Sequence, residues 1–167
     1  MKVLFLFFLL TILTISIGQT SCDFQLRPDS IAIQDSKTKE LVKLIEVKIK
    51  NDYRIYFIKQ DHKNYLKIVV RDNLGFGKKS SLLLLSNKKQ IYIRSIELKS
   101  TDKTSAYFLI SLNDSNYLET IKDNGLSSIL FNETSEFVIP KSDSEQIKKA
   151  AGCFFEVVKD NLHPSMK

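Results

Sequence analysis

Tryptophan is absent from the 167 residues, and cysteine and histidine occur only twice each. The histidines, His62 and His163, have no second imidazole or thiol at ligand spacing, which excludes the usual Cys/His zinc patterns. Asp61 beside His62 could orient an imidazole, but the sequence brings no nucleophile to the pair. No Gly-x-Ser-x-Gly elbow is present. The stretch NLGFGKKSS is not a phosphate loop, because Asp72 stands where that motif needs its first glycine. Gly75 and Gly77 suit a loop that needs positive φ. No catalytic residue, metal ligand or cofactor is assigned. Three prolines and five glycines, with no repeat and no low-complexity linker, point to one domain over 19–160 and a short polar tail over 161–167.

The chain opens MKVLFLFFLLTILTISIGQTSCD. Lys2 supplies a positive start, and Val3 to Ile17 is apolar apart from Thr11, Thr14 and Ser16. At 1.5 Å per residue this run spans about 22 Å, short of the roughly 30 Å hydrocarbon core. It therefore reads as a signal peptide over 1–18, with Ser16 and Gly18 at the small-residue positions before a cut at Gln19. The expectation is an exported protein, periplasmic or extracellular.

Export gives the two cysteines a meaning. Cys22 lies just after the cut and Cys153 near the other end. In an oxidising compartment they are a disulfide candidate. The alternative is lipidation of Cys22, which would anchor the protein to a membrane, although Gln19 is a poor fit to a lipobox. A lipidated Cys22 cannot also pair, so the two outcomes exclude one another.

Charge is uneven. Residues 40–103 hold 15 lysines and arginines against 7 acids, while 104–167 hold 6 against 9. A basic sheet surface is expected, with Lys67, Arg71, Lys78 and Lys79 as its anion-binding candidates and Lys67 and Arg71 on one solvent-facing side of a strand. Tyr53, Tyr56, Phe57, Tyr65 and Tyr92 interleave with the bases. No RNP-like octapeptide accompanies them, and export argues against nucleic acid as a partner. An anionic macromolecule or another exported protein is the partner class that remains. Asn113 (Asn-Asp-Ser) and Asn132 (Asn-Glu-Thr) match the glycosylation sequon.

Hydrophobic periodicity carries the fold. LIEVKIKN alternates, with Ile45, Val47 and Ile49 on one face. RIYFIKQ and YLKIVVR flank the polar QDHKN as a hairpin. SLLLLS is continuous and suits a central strand. In QIYIRSIELK the phase slips near Arg94–Ser95, the mark of a β-bulge. AYFLISL is a further strand, and LSSILF and EFVIP form a second hairpin across NETS. Helical spacing appears twice: DSNYLETIKDNG, with Asp114 or Ser115 to cap it and Gly125 to end it, and SDSEQIKKAAGCFFEVVKD. The second carries a Ser142–Glu145 capping box and a stripe of Ile147, Ala150, Ala151, Phe154 and Val158. The fold class is thus α+β: a mostly antiparallel sheet of about seven or eight strands, one short helix, and a C-terminal amphipathic helix packed on one face.

The order of leader, antiparallel strands and late helix is loosely similar to that of lipocalins, but their Gly-x-Trp is missing. A carrier of a small apolar ligand is one expectation; its chamber would be lined by Phe57, Leu66, Ile68 and Phe108. The leading expectation is a non-enzymatic exported binding module.

Overall fold

The computed structural model describes residues 22–28, 41–50, 53–70, 79–86, 90–97, 99–100, 106–113, 116–132 and 134–159. Residues 1–21, 71–78 and 160–167 are among those that lie outside the described residues.

The strands are β1 (Gln25–Pro28), β2 (Leu41–Lys48), β3 (Arg54–Gln60), β4 (Lys63–Val70), β5 (Lys79–Leu85), β6 (Gln90–Glu97), β7 (Lys99–Ser100), β8 (Ala106–Ser111), β9 (Ser128–Phe131) and β10 (Ser135–Val138). Among the described residues two helices accompany them, α1 (Tyr117–Asn124) and α2 (Lys141–Val158). The fold is α+β and antiparallel, as the periodicity implies. The strands divide between two sheets, however, ordered β1-β2-β3-β4-β8-β7 and β10-β9-β5-β6. The strand excess over the sequence estimate comes from short pieces, β1 and β7, whose pairing depends on neighbours distant in the chain.

The turns follow from local chemistry. β3 and β4 are joined by Asp61 and His62, a two-residue connection with Asp61 at φ 47°. Aspartate tolerates the left-handed region better than most residues. In the β5–β6 ladder Ser80 pairs with Ile96 and Leu82 with Ile93. Arg94 and Ser95 therefore oppose the single residue Ser81, which is the bulge the phase slip predicts. β5 is central in its sheet, between β9 and β6. Leu84 is fully buried there, and Leu83 and Leu85 are half-buried.

The two sheets and α2 enclose one core. On the inner face of the first sheet, Ile45–Phe57–Leu66–Ile110 and Val47–Ile55–Ile68–Phe108 form rows across four strands. The second sheet meets this face through Phe131, whose ring lies 5.5 Å from that of Phe108. Tyr53 stacks on Phe137 at 4.0 Å. α2 covers the β2–β3 end, with Phe154 5.7 Å from Phe57. Its stripe of Ile147, Ala150, Ala151, Phe154 and Val158 is buried as the spacing predicts. Each large side chain withdrawn from water here contributes about 1.5–3 kcal/mol.

The helix ends bring one correction. Ser142 and Glu145 do not form a capping box. α2 begins two residues earlier than that box requires, at Lys141, and Pro140 stands at its N-cap with no side-chain cap. The Pro140 carbonyl accepts from the backbone N–H groups of Asp143 and Ser144 at 3.0 and 2.9 Å. Proline has no N–H to leave unsatisfied, so it opens the helix without a side-chain oxygen. Ser142 Oγ instead lies 3.1 Å from Asp143 Oδ1. At the other end, Lys59 Nζ donates to the Val157 carbonyl at 3.0 Å, a cation on the negative end of the helix dipole. Gly125 ends α1 with φ 67°. A Cβ there would stand 2.6 Å from Ser144 Oγ, so glycine also permits the close approach of α1 to α2. Asp114 and Ser115 lie outside the described residues.

Candidate functional site

The four basic candidates do not form a common open surface among the described residues. Arg71 and Lys78 lie outside those residues, as does the side chain of Lys79, which opens β5 in the second sheet. Lys67 is described, and it corrects the expectation of a solvent-facing position: it is buried, at 6% exposure.

The cause is the outer face of the first sheet. The row across this face reads Glu46, Tyr56, Lys67, Leu109. Val42, Leu44 and Ile58 on the same side are also buried and form a second apolar cluster with Tyr56, Tyr65 and Leu109. Lys67 Nζ lies 4.5 Å from the centre of the Tyr107 ring and 5.9 Å from that of Tyr56. Withdrawal from water penalises the charged amine and lowers its pKa from 10.5 to about 8. Beside it, Glu46 accepts from Arg54 at 3.2 Å and from the Tyr56 hydroxyl at 3.1 Å. Burial raises the Tyr56 pKa, and the hydrogen bond from Arg54 partly offsets this. The charges of Glu46 and Arg54 are thus spent on each other within the sheet. A signal for this burial existed: LVKLIEVK and YLKIVVR carry apolar residues at both phases of the alternation.

A different site emerges at the disulfide. Cys22 and Cys153 are bonded, with Cα atoms 5.7 Å apart and a sequence separation of 131. The bridge uses the sulfur that lipidation of Cys22 would need. Closing a loop of this length lowers unfolded-state entropy by an amount worth about 4–5 kcal/mol in the chain-entropy model. It also shapes the surface. β1 pairs with β2 from Gln25↔Leu44 to Pro28↔Leu41. Upstream of Gln25 the chain turns, the Phe24 N–H donating to the Cys22 carbonyl at 3.0 Å. It then crosses to α2, and the β1–β2 ladder stops halfway along β2.

A groove of about 530 Å³ opens at that point. One wall is Cys22, Asp23 and Gln25; the floor is Ile45 to Lys48 of β2; the opposite wall is Gln146, Lys149, Ala150 and Cys153 of α2. Ile45 and Val47 are buried beneath it, while Asp23, Lys48 and Lys149 are exposed at its margin. The spacing of the cysteines anticipated the bridge but not this groove, which exists only where three distant segments meet.

The remaining sequence candidates are placed as follows. His62 is exposed in the β3–β4 turn, and His163 lies outside the described residues. Phe57, Leu66, Ile68 and Phe108 fill the core between the sheets and α2 and do not line a chamber. No cluster of metal-ligating side chains occurs among the described residues, and none of their helices is long and apolar enough to cross a membrane. No protein-family model matches the chain, and searches of curated proteins and of solved structures return no match.

Proposed function

We propose that the protein is an exported, non-enzymatic interaction module that receives an extended, acidic segment of another exported protein along β2. The observation that carries this reading is the β1–β2 ladder stopping at Leu44, with the groove opening over Ile45, Val47 and Lys48. A sheet margin of this kind accepts an added strand, whose backbone supplies affinity and whose alternate side chains supply specificity. Apolar side chains of the guest would meet Ile45, Val47 and Ala150. Its carboxylates would meet Lys48 and Lys149, the exposed bases at the margin, since the charge of Glu46 is already held by Arg54. The disulfide is compatible with an oxidising, exported setting.

The test is binding of a short fluorescein-labelled peptide of alternating valine and glutamate, followed by anisotropy. Affinity should fall as salt rises. Lys48→Glu with Lys149→Glu should weaken binding by about tenfold, since exposed ion pairs contribute up to about 1 kcal/mol each. Lys63→Glu with Lys159→Glu changes net charge equally, away from the groove, and should leave affinity nearly unchanged. Equal losses in the two double variants would reduce the effect to overall charge. Capture of heparin without capture of the peptide would replace the acidic polypeptide with an anionic polysaccharide.

A further inference from the structure

The bridge to α2 carries Cys22 and Asp23 away from the sheet. β1 pairs with β2 only as far as Gln25↔Leu44. The Phe24 N–H then donates to the Cys22 carbonyl at 3.0 Å, and this turn takes the chain to Cys153. Continued without the turn, the same antiparallel register would set Phe24 opposite Ile45, Asp23 opposite Glu46 and Cys22 opposite Val47. Those three β2 residues belong to the groove floor. Phe24 and Cys22 would share the inner side with Ile45 and Val47, which are buried there. Phe24 already packs on that core, its ring centre 5.7 Å from Lys43 Nζ, so closure has only Cys22 and Asp23 to move.

We propose, on the reading of the groove as a strand acceptor, that the Cys22–Cys153 bond is a redox gate. While the bond is closed, the groove stands open to a guest. On reduction, the chain's own residues 22–24 add to β2 and occlude it. The reductant is a dithiol. Its first thiolate attacks the sulfur of Cys22, the exposed half of the bridge, and Cys153 leaves. Its second thiolate then displaces the Cys22 sulfur. The reductant departs as a disulfide, and its two protons end on Cys22 and Cys153. A segment tethered beside its pairing site competes at an effective concentration on the order of millimolar, which outweighs a dilute guest. Asp23 opposite Glu46 is the unfavourable pair in the closed ladder, softened because Glu46 is already held by Arg54 at 3.2 Å.

Amide hydrogen exchange of the purified protein, oxidised and after dithiothreitol, tests the gate alongside anisotropy of the valine–glutamate peptide. Exchange over residues 45–48 should slow on reduction. Peptide affinity should fall about tenfold if the segment fills the groove about nine-tenths of the time. Two double variants without the bridge separate closure from mere loss of a wall. Cys22→Val with Cys153→Ser favours pairing over Val47 and should bind the peptide weakly. Cys22→Asn with Cys153→Ser disfavours it and should bind nearly as tightly as the oxidised wild type. Unchanged or faster exchange over 45–48 on reduction, or measurable but equal peptide affinity in the two double variants, overturns the gate. Slowed exchange with no peptide bound in either state leaves the gate standing and removes the acidic guest.

Discussion

The two faces of the first sheet obey different rules. The inner face is apolar in unbroken rows and is sealed by α2 and the second sheet. The outer face mixes Glu46, Arg54, Tyr56 and Lys67 with Val42, Leu44 and Ile58, and buries much of this set as well. Burial on the inner face is driven by area withdrawn from water. On the outer face the same withdrawal acts on charged groups, which remain only because each has a partner or a ring beside it. Strands with apolar residues at both phases of the alternation therefore bury both faces, and the charges among them must find partners there.

The largest expected break in this comparison is on the inner face. Phe154→Ala empties volume between α2 and Phe57 and should cost about 3–5 kcal/mol in urea unfolding. A loss under about 0.5 kcal/mol would mean that α2 is not the lid of that face.

Cys153→Ser tests how the lid is held from outside. It should lower stability by about 2–5 kcal/mol, and melting of the wild type should fall on reduction. Coincident melts of oxidised and reduced protein would contradict the bridge.

Lys67→Met sharpens the comparison on the outer face through pH. The folded lysine has a pKa of about 8 against an ordinary 10.5, so between these values the unfolded chain binds more protons than the folded one. Stability of the wild type should therefore rise with pH across that window. Lys67→Met removes this rise, and parallel pH profiles for the two proteins would show that Lys67 is not desolvated. The charge reversal Lys67→Glu is correspondingly a test of folding and not of surface binding.

Asn64 supplies a smaller effect. It is fully buried on β4, and neither atom of its side-chain amide has a hydrogen-bond partner. Its backbone is held independently, by Asn113 and by the Leu112 N–H. Asn64→Val should be neutral or stabilise by up to about 1 kcal/mol, because an unpartnered buried amide costs more than an apolar group of similar size. Destabilisation beyond about 1 kcal/mol in the same urea assay would show that the amide is satisfied in solution.

The smallest effect is at the start of α2. Ser142→Ala should change stability by less than about 0.5 kcal/mol, since Ser142 is exposed inside the helix and does not cap it. A loss near 1 kcal/mol, the usual cost of deleting a cap, would restore the capping box.

Much of this architecture was legible in the residues themselves. Ile45, Val47, Ile55 and Phe57 declare the inner face by a period of two, and Ile147, Ala150, Phe154 and Val158 declare the buried side of α2 by a period of 3.6. The slip at Arg94–Ser95 marks the bulge, Gly125 marks the end of α1, and the lone pair of cysteines marks the bridge. These are local or periodic signals, and backbone geometry converts them directly into structure. The division into two sheets, the burial of Lys67 beneath Tyr107 and Tyr56, the use of Pro140 to open α2, and the groove between Asp23, Lys48 and Lys149 belong to tertiary structure. Each depends on which segments, up to 131 residues apart in the case of the bridge, come to lie together. A residue's own pattern specifies which way it faces along its strand or helix; only the packed neighbours decide whether water, a ring or another charge is waiting there.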